Sequence, residues 1–322
     1  MNNPYIGHPS QLYGVEEVRL VGGKGDGMRL LNVTNGAGLA FTVSADRAAD
    51  ISRLSLKGDN FGYFAPCGYV APAYYDSEGI GFLKSFTAGF LTTCGLTNVG
   101  NPCEDDGETL PLHGTIANTP CESIHHFIEN DEIHIRAVVR DARIFAHQLL
   151  LEREYIVPLF GRTMTITDTV RNIGSADSPV QLLYHFNVGY PLLSETTELS
   201  IPAKSVTPRN AHAASDLENC LRMQAPTHGY EEMCFFHKME GEANVTVYNP
   251  VIGKGFTMTY DTAKLPYFTE WKMMGEHDYV LGVEPGNAHP DGRNVMRQQG
   301  ALEILKPGET KSHSIKFTFF EK

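Results

Sequence analysis

Period-two alternation dominates the chain. In residues 162–170, Met164, Ile166 and Val170 fall on one side of an extended backbone, and Thr163, Thr165, Thr167 and Thr169 on the other. Ile133, Ile135, Ala137 and Val139 alternate with His134, Arg136, Val138 and Arg140. Near the end of the chain, Ile315, Phe317 and Phe319 alternate with Ser314, Lys316 and Thr318. Each run predicts a strand with one buried face, because successive side chains of a pleated strand point to opposite sides. Asn35-Gly36 and Asn130-Asp131 fall between such runs and predict tight turns. The cluster Gly22-Gly23-Lys24-Gly25-Asp26-Gly27 leads into another strand pattern at 28–33 rather than a helix, which makes it a hairpin turn and not a phosphate loop. Helical periodicity is scarce. One short helix is expected within residues 211–221, capped by Ser215 or Asp216. Segments 69–118 and 282–294 are poor in strand pattern and rich in glycine, proline and polar residues, and loops of that kind tend to carry function.

These patterns predict an all-β protein: one large antiparallel β-sandwich spanning 1–322, with few short helices. A chain of 322 residues is long enough to bury a sizeable core. Lys plus Arg number 26 against 38 for Asp plus Glu, a formal net charge of −12. That field repels phosphate backbones and anionic membrane surfaces, so neither nucleic acid nor membrane is expected as a partner, and a neutral or polar small molecule fits better. The six cysteines include no pair at Cys-x-x-Cys spacing, and residues 1–10 are polar without a basic segment leading into an apolar one. Reduced thiols and a cytoplasmic location are the expectation. Assembly state is left open, a homodimer included.

Candidate chemistry narrows quickly. Glu104, Asp105, Asp106 and Glu108 do not have EF-hand spacing and read as a solvated loop tip. His125 and His126 are adjacent on a strand, so their rings point to opposite faces, and no metal site with His134 is expected. There is no Gly-x-Ser-x-Gly elbow, and Cys94 reads as an inert packing thiol. Four segments stand out in order: Leu112-His113-Gly114, Tyr184-His185-Phe186-Asn187, Val283-Glu284-Pro285-Gly286-Asn287 and Leu305-Lys306-Pro307-Gly308-Glu309. Taken singly, His185 could be a satisfied core histidine and Glu284 an ion-pair partner.

Together these segments resemble the aldose 1-epimerases of the galactose-mutarotase-like superfamily, most closely a branch of aldose-1-epimerase-like proteins of largely unassigned function. The likeness runs from about residue 16 to 319. It includes Leu91-Thr92-Thr93-Cys94-Gly95-Leu96, Glu104-Asp105-Asp106-Gly107, and the run from Leu265 through Trp271-Lys272-Met273-Met274-Gly275. The resemblance implies a sugar site on the concave face of one sheet, with Glu284 as base, His185 as acid and His113 holding sugar oxygens. It implies no metal and no cofactor. Galactose-type mutarotases carry an arginine before the first histidine, but this chain has none between Arg53 and Arg136, and Lys84 is the nearest cation. Glu231 or Glu232 stands where the family has a sugar-binding aspartate. Arg47, Asn98, His237, Lys272 and Asn287 are further pocket candidates by the same resemblance, their other reading being an internal network of ion pairs. Trp271 is expected to pack in the core.

Mutarotation needs a base for the anomeric hydroxyl and an acid for the ring oxygen. The reading is therefore an aldose 1-epimerase, an isomerase acting on a free neutral monosaccharide. Its rivals are a sugar-binding or sugar-sensing protein without turnover, since folds do not dictate function, and a metal-dependent sugar isomerase or lyase.

Overall fold

A computed structural model describes residues 4–322. Two large antiparallel sheets face each other across an apolar interior. The eight-stranded sheet runs Ser123–Glu129, Glu132–Ala142, Gln148–Pro158, Thr163–Asn172, Thr310–Glu321, Lys254–Asp261, Glu242–Asn249 and Glu198–Ser200. The seven-stranded sheet runs Ser205–Pro208, Met233–Lys238, Tyr267–Met274, Tyr279–Gly286, Ser178–Val188 and Glu303–Leu305, with Leu91–Leu96 also paired to Ser178–Val188. A five-stranded sheet, Gly14–Arg19 to Asp59–Asn60, covers one side.

The alternation explains the interior. Ile166 pairs opposite Ile315 and Met164 opposite Phe317, so the apolar faces of two distant strands coincide, while Thr167 and Ser314 meet on the outer face. Phe186 of one large sheet meets Phe317 of the other at 4.8 Å between ring centroids, and Phe90 packs edge-on to Phe256 at 5.7 Å. Edge-to-face contacts of this kind suit the ring quadrupoles and add to area burial.

The turns fall where the dipeptides place them. Asn130 and Asp131, at φ 50° and 60°, close the hairpin that pairs Glu129 with Glu132. The short helix is Ala211–Ala214, but its cap is Asn210, whose side chain accepts from the Ala213 N–H; Ser215 follows the helix. A second helix, Arg293–Gln298, lies at the end of a segment read as loop. At 6 residues it is too short to display a helical period.

Two buried ion clusters hold this frame around the site. Arg153 is fully buried and donates to Asp168 at 2.8 and 2.6 Å, to Asp50 at 2.7 Å and to the Thr93 hydroxyl at 2.8 Å. It therefore joins the eight-stranded sheet, the five-stranded sheet and the strand Leu91–Leu96. The second cluster corrects the reading of Asp105 as part of a solvated tip. Asp105 is buried and accepts from Arg293 at 2.6 Å and from Arg297 at 2.7 and 2.8 Å. Arg293 also reaches Glu108 at 2.7 Å, and its backbone N–H donates to Asn98 Oδ1 at 2.9 Å. This cluster clips the loop before His113 to the one after Glu284.

Candidate active site

The pairing of strands brings His185 and Glu284 together. Leu183 lies opposite Gly286 and Phe186 opposite Val283, a register that sets His185 opposite Glu284 on the neighbouring strand. Thr269 lies opposite Glu284, Phe236 opposite Thr269 and Thr92 opposite His185. One transverse row of side chains thus crosses the sheet on the face away from Phe186 and Val283, and opposed residues on one face sit within contact reach. His185 Nε2 lies 3.3 Å from Glu284 Oε1. The angles do not make a hydrogen bond, and Glu284 Oε1 and His185 Nδ1 have no hydrogen-bond partner among the described residues.

Room for the carboxylate comes from Gly282, two residues back on the same face. A Cβ there would lie 2.1 Å from Glu284 Oε1 and 2.9 Å from Trp271 Cβ. Gly282→Ala is therefore expected to push the carboxylate out of line and lower turnover roughly 10- to 100-fold, since misplacement by about 1 Å can cost that much. Anomer-exchange rates and thermal midpoints measured in parallel check this. Loss of rate with the midpoint preserved is the expected result.

His113 arrives from the other side. Two successive left-handed residues, His113 at φ 57° and Gly114 at φ 69°, turn the chain, and a Cβ on Gly114 would meet Gly95 O at 2.1 Å. The Gly100 N–H donates to His113 Nδ1 at 3.2 Å, which leaves the ring proton on Nε2. Asn98 holds this loop by donating to Pro111 O at 2.8 Å and Asn101 O at 3.0 Å.

Around these groups lies a cleft of about 280 Å³ whose lining includes His113, His185, Glu284, Glu232, Arg209, Thr269 and Trp271. Ile80, Phe82, Leu83, Phe86 and Leu112 line the rest, with Gly100, Asn101, Cys234 and Pro290. His185 is boxed by rings: Trp271 at 5.2 Å, Phe86 at 5.3 Å and His113 at 5.7 Å between centroids. Trp271 Nε1 donates to Glu232 Oε2 at 2.7 Å. Arg209 donates through Nε to Asp291 at 3.0 Å and through Nη2 to Pro290 O at 3.0 Å.

Burial sets the protonation. Glu284 is held well above the usual carboxylate range by burial, with the Glu232 charge adding and Arg209 opposing. Burial pushes His185 down to about 4 against a raising contact from Asn187. His113 is pushed down to about 3 by burial, with His185 and Arg209 adding. Both imidazoles are thus neutral near pH 7, and Glu284 favours its proton. Cys94 is buried and its thiol pushed well up, and burial lifts Cys234 to about 12, so neither is a ready nucleophile.

The other sequence candidates lie elsewhere. Lys84 is outside the cleft, its ammonium paired with Asp76 at 2.6 Å. Glu231 does not line it; His212 Nε2 lies 3.2 Å from its backbone oxygen. Arg47 is buried beside Asp50 and donates to Val70 O at 3.1 Å. His237 and Lys272 are on the opposite face of their strands, His237 at 2.8 Å from Glu270 and Lys272 donating to Asn219 O at 3.0 Å. Asn287 accepts from Leu182 N at 2.6 Å and donates to the Glu303 carboxylate at 2.8 Å. Asn98 acts through the loop backbone. Conversely, Trp271 faces the cleft rather than the core, and the arginine that lines the cleft is Arg209, well after His113 in the chain. No group of His, Cys, Asp and Glu among the described residues has the arrangement of a metal site.

Residues 25–319 match the model of a domain of unknown function, DUF4432. The chain belongs to that family. No curated protein matches the sequence. In structure, this DUF4432 chain is similar to a protein of Klebsiella pneumoniae provisionally assigned as an aldose 1-epimerase. The two are 27% identical with a TM-score of 0.90, over 96% of this chain and 84% of that one. A galactose mutarotase-like protein of Clostridium acetobutylicum is 14% identical with a TM-score of 0.68, covering 97% and 100% of the two chains. Galactose 1-epimerase of Lactobacillus acidophilus is 12% identical with a TM-score of 0.62, covering 96% and 99%. The DUF4432 fold is that of the galactose-mutarotase-like superfamily. No helix among its described residues is long and apolar enough to cross a membrane.

Proposed function

We propose that this DUF4432 protein is an aldose 1-epimerase, a cofactor-independent isomerase that interconverts the anomers of a free monosaccharide. One observation carries the reading: a buried carboxylate and a buried imidazole face each other at 3.3 Å across the floor of a sugar-sized cleft. Between them they hold one proton before and after ring opening, while the reaction moves two: one off O1 and one onto O5.

Glu284, as carboxylate, takes the proton of the O1 hydroxyl while His185, as imidazolium, gives one to the ring oxygen O5. The C1–O5 bond breaks and the C1–O1 carbonyl forms. Rotation about C1–C2 presents the other carbonyl face. Closure reverses both transfers, so no atom or proton is gained or lost. Burial favours the neutral carboxyl and imidazole in the empty cleft. Hydroxyl donors from the sugar, with Arg209 nearby, favour the charged form that reacts. The Nε2–H of His113 donates to a sugar oxygen, while Arg209 and Glu232 contact hydroxyls.

The pH profile follows with a definite sign. Between the two titrations the pair holds one proton. Below about pH 4, where His185 protonates while Glu284 is already protonated, the base is lost and turnover falls. On the alkaline side turnover falls where Glu284, raised above the ordinary carboxylate range, gives up the proton. An acid limb at the ordinary imidazole value of 6.5 instead would show that His185 is not the buried partner of Glu284. Saturation-transfer NMR on arabinose, xylose, ribose, deoxyribose, fucose and galactose tests the activity. Faster anomer exchange for a panel member supports it, and binding without acceleration for any of them overturns it in favour of a sugar-binding protein.

A further inference from the structure

The lining of the cleft falls into two chemical sets, and only one of them can satisfy hydroxyl groups. In the other, Ile80, Phe82, Leu83, Phe86 and Leu112 offer no side-chain hydrogen-bonding atom. The polar side chains of the same segment are all turned away and satisfied elsewhere. Lys84 pairs with Asp76 at 2.6 Å, Ser85 Oγ donates to Asn118 Oδ1 at 3.0 Å, and Thr87 Oγ1 donates to Gly68 O at 2.9 Å. The turn's backbone is also used internally, Ile80 O accepting from Leu83 N at 3.0 Å and Phe82 O from Ser85 N at 3.0 Å.

Two features make this wall more than core. Phe82 and Phe86 are buried, at 1% and 9% exposure, but Ile80 and Leu83 stand at 64% and 55% in a cleft that Arg209 and Glu232 also line. Phe86 also lies against His185, and Phe82 against His113 at 5.4 Å, so the apolar wall begins at the candidate acid and includes the exposed Ile80 and Leu83. A sugar seated on Glu284 and His185 therefore lies beside Phe86 and within reach of the apolar residues next to it. A hydroxyl turned toward those residues would lose water and gain no partner, whereas a methyl or methylene would cover the exposed Ile80 and Leu83.

We propose that the sugar is a deoxyaldose, with its deoxygenated edge against Ile80, Phe82, Leu83 and Phe86 and its hydroxyls toward Arg209, Glu232 and His113. This rests on the cleft being the sugar site but not on turnover. An apolar pocket discriminates by a limited factor, so the deoxy sugar should bind about 10- to 100-fold more tightly than its hydroxylated parent.

The test is dissociation constants by NMR titration of the unmodified protein with matched pairs: fucose and galactose, rhamnose and mannose, 2-deoxyribose and ribose. Anomer exchange is recorded on the same samples. At least one pair should show the preference, and the Ile80→Thr/Leu83→Asn protein should shrink that ratio to about threefold. Both substitutions sit at exposed positions, and circular dichroism confirms the fold. Equal or tighter binding of every parent, no measurable binding of any pair member, or a ratio unmoved by the double substitution overturns the proposal. A clear deoxy preference without accelerated exchange leaves it standing and removes the epimerase reading instead.

Discussion

Glu284→Gln is expected to lower kcat for anomer exchange about 1,000-fold while changing sugar affinity by less than about threefold. The amide keeps the shape and fills the space beside Gly282, so the cleft is not reshaped. What it loses is the ability to accept the O1 proton, and a positioned general base contributes roughly 10²–10⁴ in rate. Stability should hold or rise slightly. The carboxyl is 2% exposed and driven toward its neutral form by burial, so replacing it with a neutral amide removes a desolvation cost rather than a favourable charge. Saturation-transfer rates and denaturant midpoints on the same preparation separate the two quantities. Turnover within a factor of a few of the unmodified protein removes Glu284 from the role of base.

Arg153→Met should have the largest effect on stability, a loss of about 3–5 kcal/mol. Its guanidinium is the cation shared by Asp50 and Asp168, and its side chain and that of Asp168 are wholly buried. With the arginine gone, two carboxylates face each other in the interior without a counter-charge. Adding Asp50→Asn and Asp168→Asn to the same protein should recover much of the loss, because the cost lies in the orphaned charges and not in the missing arginine as such. Urea midpoints of the single and triple variants decide it, and a single-variant loss below about 1 kcal/mol would contradict the account. Activity should follow stability here. Asp50 accepts from the Thr93 N–H and hydroxyl at 2.8 and 2.5 Å, and Thr93 pairs with Tyr184, the residue before His185.

How legible each feature was in the sequence depends on whether its cause is local. The runs at 133–140, 162–170 and 315–319 announce their strands because each has one face in the interior and one in water. The strands Met233–Lys238 and Tyr267–Met274 mislead for the opposite reason. Their charged members His237, Glu270 and Lys272 are the ones turned inward, paired with each other or with the segment around Asn219, whereas Trp271 and Thr269 face the cleft. Polar-out, apolar-in parity therefore assigns every one of these side chains to the wrong face. Asp105 fails similarly, because its partners Arg293 and Arg297 lie nearly 200 residues away and leave no trace in the acidic run itself. Arg209 could have been flagged only as a cation at the end of a strand pattern, just after Pro208, since nothing local marks it as a cleft residue.

The strand Thr310–Glu321 is last in sequence order, yet it lies inside the larger sheet, between Thr163–Asn172 and Lys254–Asp261. During synthesis, therefore, both of its neighbours emerge long before it does. Until it follows, each presents a row of unpaired N–H and C=O groups with nothing to complete the ladder. The nascent chain carries two open edges that only its own late strand should fill, and neighbouring chains on the same messenger carry the same two. Closure of the sheet must await emergence of those residues from the ribosome, which makes the interval between the emergence of residue 261 and that of residue 321 the time when this protein is most exposed to pairing with the wrong partner.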